Sequence, residues 1–253
     1  MHSARIRTVL ALLAASLALA ACASVASASS RQYSLIQDDG LLLGAPAGAS
    51  AAMDQFQTIG ADIVKVAAHW RWVAPDVESS TRPNVDLSDP ANYNWSVLDH
   101  AVKGIEQRGM TPWLMITAPA PDWASSRSNS VKQPGVWQPD PKAFGVFAEA
   151  IAKRYPEVRY WSLMNEPNFD IWLAPQVGAR GVSLSAIHYR KMYVEGRSGL
   201  DRGGAGADQI MFGELAPRAF DQVKGAQATQ PVRFLRDFFC LDSRLKPLKG
   251  SAA

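Results

Sequence analysis

Two acidic residues stand just downstream of apolar runs: Glu166, in Asn165-Glu166-Pro167 after Tyr160-Trp161-Ser162-Leu163-Met164, and Glu214, after Gln209-Ile210-Met211-Phe212-Gly213. Carboxyl groups in such places can give or take protons, or attack as nucleophiles, and a pair in unlike surroundings can divide these roles. Other charged and aromatic residues also follow apolar runs: Asp38 and Asp39, the segment from His69 through Trp72, and Asp122 with Trp123. Competing chemistries lack their residues. The chain has no Walker loop, HExxH, GxSxG or CxxC, and none of its four histidines has a partner at ligand spacing. Gly203-Gly204-Ala205-Gly206 precedes an apolar run instead of following one, which is the wrong order for a dinucleotide loop. Neither a metal nor a cofactor is expected.

The elements that must hold these residues alternate. Residues 35–43 read as a short strand with a turn, 53–59 as a helix stopped by Gly60, and 63–67 as a buried strand. Asn94 is placed to cap a helix with Trp95, Leu98, Val102 and Ile105 on one face, ended by Gly109. A third strand covers 113–116, and Asp140-Pro141 opens a helix with Phe144, Phe147 and Ile151 inward. Strands at 158–164 and 209–212, with helices at 187–193 and 232–239, complete the series. Strand and helix in alternation demand a parallel sheet, whose chemistry gathers beyond the strand ends. The fold class is α/β, with 29–253 as one domain.

The segment Tyr160-Trp161-Ser162-Leu163-Met164-Asn165-Glu166-Pro167-Asn168-Phe169 resembles the strand-four signature of clan A glycoside hydrolases, retaining (β/α)8-barrel enzymes that include families 5 and 39. His69-Trp70-Arg71-Trp72-Val73-Ala74-Pro75, Pro121-Asp122-Trp123-Ala124 and Gly213-Glu214-Leu215-Ala216-Pro217 agree in order, so the likeness runs from about Leu35 to the end. It implies a TIM barrel, a β-linked carbohydrate substrate, Glu166 as general acid/base, and Asn165 as the partner of the sugar 2-hydroxyl. A glycosidic oxygen leaves poorly unless protonated as its bond breaks, and a 2-hydroxyl contact strengthens in the transition state. Saccharide sites also need flat apolar walls with polar edges. Trp70, Trp72, Trp123 and Trp172 are candidates for the walls, each equally readable as packing between helix and barrel. His69 and Asn168 are candidate edge contacts; for His69 a satisfied core histidine is the competing reading. The sequence departs from the family at Lys65, where many relatives place an Arg that orients the nucleophile, and at Ser162 and Met164, where a Glu and a Trp are common.

The barrel is expected to be incomplete. Strands begin near 35, 63, 112, 158 and 209, about 43 residues apart, so eight units need about 350 residues. Strand seven, which carries the nucleophile in this clan, would start near residue 296 by the same spacing. About five of eight βα units are therefore expected, from a longer glycosidase. Cys240, the sole cysteine after the leader, points the same way through a missing partner. Glu214 follows strand five, and the family pattern does not give it the nucleophile's place; whether it substitutes is open. A retaining hydrolase is thus one reading, and a non-catalytic carbohydrate-binding or inactive fragment is the alternative.

Composition bounds the partners. Hydrophobic residues at 47% and charged residues at 19% describe a globular chain and exclude a disordered one. The charge of +3 owes two units to Arg5 and Arg7, leaving 24 basic against 23 acidic residues. That balance is no footprint for nucleic acid. Residues 1–28 carry a basic start, an apolar run and the A-x-A site Ala26-Ser27-Ala28, the layout of a secretory signal. Leu19-Ala20-Ala21-Cys22 resembles a bacterial lipobox as well, so cleavage near Ala28 and lipidation of Cys22 stand as two readings of one leader. Lipidation would be the sole membrane link, and it alone supports a third role as a structural envelope lipoprotein. A secreted or extracytoplasmic location is expected either way.

Overall fold

The computed structural model describes residues 32–126, 133–217 and 227–248; the leader, with Cys22 and the A-x-A site, lies outside them. Five strands form one parallel sheet: β1 (Leu35–Gln37), β2 (Ile63–His69), β3 (Thr111–Thr117), β4 (Tyr160–Leu163) and β5 (Gln209–Met211). Their spatial order is their chain order, β1-β2-β3-β4-β5. A doubly wound sheet would reverse direction at a switch point, whereas successive staves of a barrel follow one another in this way. Among the described residues β1 and β5 each have one strand neighbour, so both edges of the sheet are unpaired.

Side chains alternate across a strand, so the register separates the sheet into two faces. Val64, Val66 and Ala68, with Leu114, Ile116, Trp161 and Leu163, lie on one face. All are buried in the main apolar cluster with residues of the helices. Lys65, Ala67, His69, Trp113, Met115, Thr117, Tyr160 and Ser162 lie on the other. This inner face is mixed in chemistry, and even its buried Ala67 and Met115 stand outside that cluster.

The helices are α1 (Asp39–Leu42), α2 (Pro46–Thr58), α3 (Trp70–Val73), α4 (Ser96–Gln107), α5 (Pro141–Arg154), α6 (Leu184–Leu200) and α7 (Pro231–Phe238). Asp140 caps α5 as expected, accepting from the amides of Lys142 and Ala143 at 2.8 and 3.2 Å, and Pro141 takes the first helical position. Phe144, Phe147 and Ile151 are fully buried from that helix. Helices α5 and α6 touch through glycine. A Cβ on Gly145 would stand 2.6 Å from the Glu195 carbonyl oxygen, and one on Gly199 would overlap the Gly145 carbonyl oxygen. No larger residue permits that approach.

Local readings needed correction. Residues 39–42 form a helical turn, because Asp38 accepts from the Leu41 amide at 3.1 Å and caps it. Helix α2 starts at Pro46 instead of 53, its first turns being rich in Ala and Gly, without an apolar period to read. Trp95 takes the N-cap position of α4, while Asn94 bonds the Ser96 amide at 3.2 Å from one residue earlier. Helix α6 is 17 residues long, well beyond 187–193.

Candidate active site

The chain turns sharply where β4 ends. Met164 and Glu166 have φ of 74° and 38°, in the left-handed region that non-glycine residues seldom occupy. Neighbouring strands hold this backbone. The Met164 amide donates to Ile116 O at 2.8 Å, the Asn165 amide to Thr117 Oγ1 at 3.0 Å, and the Glu166 amide to Glu214 O at 3.0 Å. Tyr189, buried on α6, donates its hydroxyl to Leu163 O at 2.7 Å and receives the Gly213 amide at 3.4 Å. The turn is therefore fixed from β3, β5 and α6 at once. Strain that survives in such a frame is a mark of functional sites. Both side chains carried by the turn are half-buried, and among the described residues no hydrogen bond or ion pair engages the Glu166 carboxylate or the Asn165 carboxamide.

The second turn, after β5, has Gly213 at φ 100° and Glu214 at φ 51°. It brings the Glu214 carboxylate onto the inner face of the sheet, where Oε2 pairs with Lys65 Nζ of β2. Both side chains are about nine-tenths buried, at 12% and 11% exposed, and Glu214 Oε1 has no hydrogen-bond partner among the described residues. Lys65 Nζ also lies 5.9 Å from the centre of the Trp113 ring, and Trp113 Nε1 donates to Ser162 Oγ at 2.8 Å. Trp113 and Ser162 thus form a floor under the pair. Sequence reasoning had marked Lys65 and Ser162 as departures and had passed over Trp113. A lone lysine inside the apolar run of β2 was the signal for an ionic partner.

The end of β2 carries an aromatic group. The His69 ring lies 4.1 Å from Trp72 and 6.0 Å from Trp172, nearly parallel to the latter. His69 Nδ1 lies 3.2 Å from the Ala118 carbonyl, which can only accept, so this nitrogen carries the proton. Burial lowers the His69 pKa from its ordinary 6.5, while the Ala118 carbonyl and Asp39 pull it back up. The ring is therefore neutral near pH 7, with Nε2 an acceptor. Trp72 is 61% exposed, and the Trp172 Nε1 is buried without a partner among the described residues.

Two expected contacts are corrected. Trp70 is wholly buried, stacked on Phe147 at 5.6 Å and edge-on to Trp123 at 5.9 Å, so no saccharide can meet its faces. Asn168 is likewise buried, and its amide is used by the backbone: it donates to Ala216 O at 2.9 Å and Thr229 O at 3.0 Å and accepts from the Ala216 amide at 2.8 Å. It ties the β4 turn to the β5 turn. Trp123 is half-buried and anchored by donating to Pro75 O at 3.0 Å. Nearby, Arg71 reaches Asp122 at 2.7 Å and Ala120 O at 3.3 Å, bracing the two loops after β2 and β3. No group of three His, Cys, Asp or Glu able to hold a metal occurs among the described residues.

Solved structures share this fold in part. The family 39 glycoside hydrolase from Xanthomonas axonopodis pv. citri superposes with a TM-score of 0.50 at 17% identity, over 74% of this chain and 36% of that one. The fold is that of part of this barrel. A glucosidase from Croceicoccus marinus is similar over 71% of this chain and 36% of its own, with a TM-score of 0.49 and 18% identity. The β-glycosidase from Thermosphaera aggregans is similar over 64% of this chain and 41% of its own, with a TM-score of 0.44 and 18% identity. The chain spans about a third of the length of the first two. No family model matches it, and no curated protein matches it in sequence. The α/β fold expected, of barrel type with about five βα units, is thus the fold observed among the described residues.

Proposed function

We propose that this chain carries the acid/base half of a retaining O-glycoside hydrolase acting on β-linked oligo- or polysaccharides. One observation carries the reading: a strained Asn165-Glu166 turn, held at its backbone by hydrogen bonds from three elements at the strand ends, with both polar side chains uncommitted among the described residues. A preset turn needs no reordering when substrate arrives, which is how a positioned acid gains its rate. In this reading Glu166 protonates the leaving oxygen and then draws a proton from water, while Asn165 holds the 2-hydroxyl. Trp72 and Trp172 beside His69 offer the wall and the acceptor edge that a pyranose ring requires. Glucosidases among the similar structures favour a β-glucoside as the first substrate to try.

A second reading has its own support. Retention requires a second carboxylate about 5 Å from the first, and the one that follows β5 is neutralised by Lys65. A chain that binds saccharide without cleaving it would have this arrangement. A panel of p-nitrophenyl β-glycosides separates the two. Release of nitrophenolate supports the hydrolase, retention without release supports the binding protein, and neither result refutes both.

We infer from the leader a location outside the cytoplasm, with cleavage near Ala28 or lipidation of Cys22. Intact mass decides: a soluble product starting near Ser29 contradicts the anchor, and a diacylated Cys22 supports it. No described helix is long and apolar enough to cross a membrane.

A further inference from the structure

We propose that Lys65 and Glu214 are positioning residues for Glu166, acting through the backbone of Glu214. The inference rests on the reading of Glu166 as the acid, but its geometry stands by itself. Lys65 is in register with Gln209 through Trp113 and Tyr160, whereas Glu214 lies beyond Gln209 along the chain and three strands from Lys65. Their pairing requires the sheet to curl and the backbone after β5 to turn left-handed at Gly213 and Glu214. The carbonyl of the residue so drawn in is the acceptor for the Glu166 amide at 3.0 Å. One chain of contacts therefore runs from the β2 side chain, across the inner face, to the backbone of the proposed acid.

The pair is a poor device for stability alone. A buried bridge repays its desolvation when every lone pair is satisfied, and here Oε1 is enclosed with no partner among the described residues. Two non-glycine left-handed residues, Glu166 and Glu214, face each other across the bond that the pair supports. Costly ionic and backbone features joined at one hydrogen bond are expected where placement of a group matters more than its contribution to folding.

Hydrogen exchange of the Glu166 amide tests this without relying on activity. In the full chain, Lys65→Met should raise its exchange rate about tenfold or more beyond the common increase shown by amides at the α5–α6 contact, which reports the loss of global stability. Lys65→Arg, which keeps the charge, should restore protection. Glu214→Gln keeps the shape and removes the charge; it should raise exchange as well, and serves if Lys65→Met fails to fold. In turnover of a p-nitrophenyl β-glycoside, Lys65→Met should lower kcat about 10- to 100-fold with KM within about threefold, as expected for misplacement of a group used in the transition state. Unchanged Glu166 protection in both charge-removing variants overturns the proposal, whatever the activity. Raised exchange in a chain that turns over no glycoside upholds the positioning and refutes the hydrolase reading instead.

Discussion

The two faces of the sheet follow different rules. On the helix-covered face Val64, Val66, Ala68, Leu114, Ile116, Trp161 and Leu163 are all buried in one continuous apolar cluster, so its chemistry is volume and contact. On the inner face a lysine, a tryptophan, a serine and a histidine stand in three successive register layers and make directed contacts: Lys65 to Glu214 and Trp113, Trp113 to Ser162, His69 to Ala118. The same strands carry both. Stability is concentrated on one side, and polar side chains with specific partners face the other. Trp70 and Trp72, two residues apart, show the contrast in miniature, since one is sealed in the core and the other 61% exposed.

That contrast can be broken from either side. The largest effect is expected from Trp70→Ala, which empties a site between Phe144, Phe147 and Trp123 and should cost about 3–5 kcal/mol in chemical denaturation. Lys65→Met comes next, leaving the Glu214 carboxylate buried and unpaired, at about 3 kcal/mol. Adding Glu214→Leu should recover most of that stability, and recovery by the double variant is the check that charge and not shape was lost. A smaller effect follows from pH. Burial holds both His69 and His188 below the ordinary 6.5, so the fold favours their neutral forms. Their contribution is fully present above about pH 6.5 and is lost as pH falls through the folded values, so Tm should drop between about pH 7 and 5, and less so in His188→Gln. Smallest is Trp72→Ala: stability should move by less than about 0.5 kcal/mol while binding of a p-nitrophenyl β-glycoside weakens. A Trp72→Ala chain that loses stability as Trp70→Ala does would erase the distinction between the faces.

The strand series and the end of the sheet that bears the turns were legible because they rest on local pattern: apolar runs, a cap at Asp140, and Asn165-Glu166-Pro167 directly after a strand. What failed was direction. Position after a strand does not say whether a side chain turns inward or outward: Trp70, readable as wall or as packing, is core, and Asn168, a candidate edge contact, is a backbone brace. Lys65 is visible as a departure inside an apolar run and Glu214 as a carboxyl just after one, but their meeting depends on curl of the sheet and on a backbone turn 149 residues away. Helix α2 was shortened because alanine and glycine give no periodic signal over its first turns.

The central claim is that Glu166 delivers a proton to a glycosidic oxygen. Its direct test is leaving-group dependence in Glu166→Gln, measured with an unactivated β-linked disaccharide and with a dinitrophenyl β-glycoside whose leaving group needs no proton. The account predicts a loss of about 100-fold or more on the disaccharide and a much smaller loss of the first, bond-breaking step on the activated substrate. Equal losses on both, or turnover unchanged on the disaccharide, would contradict it.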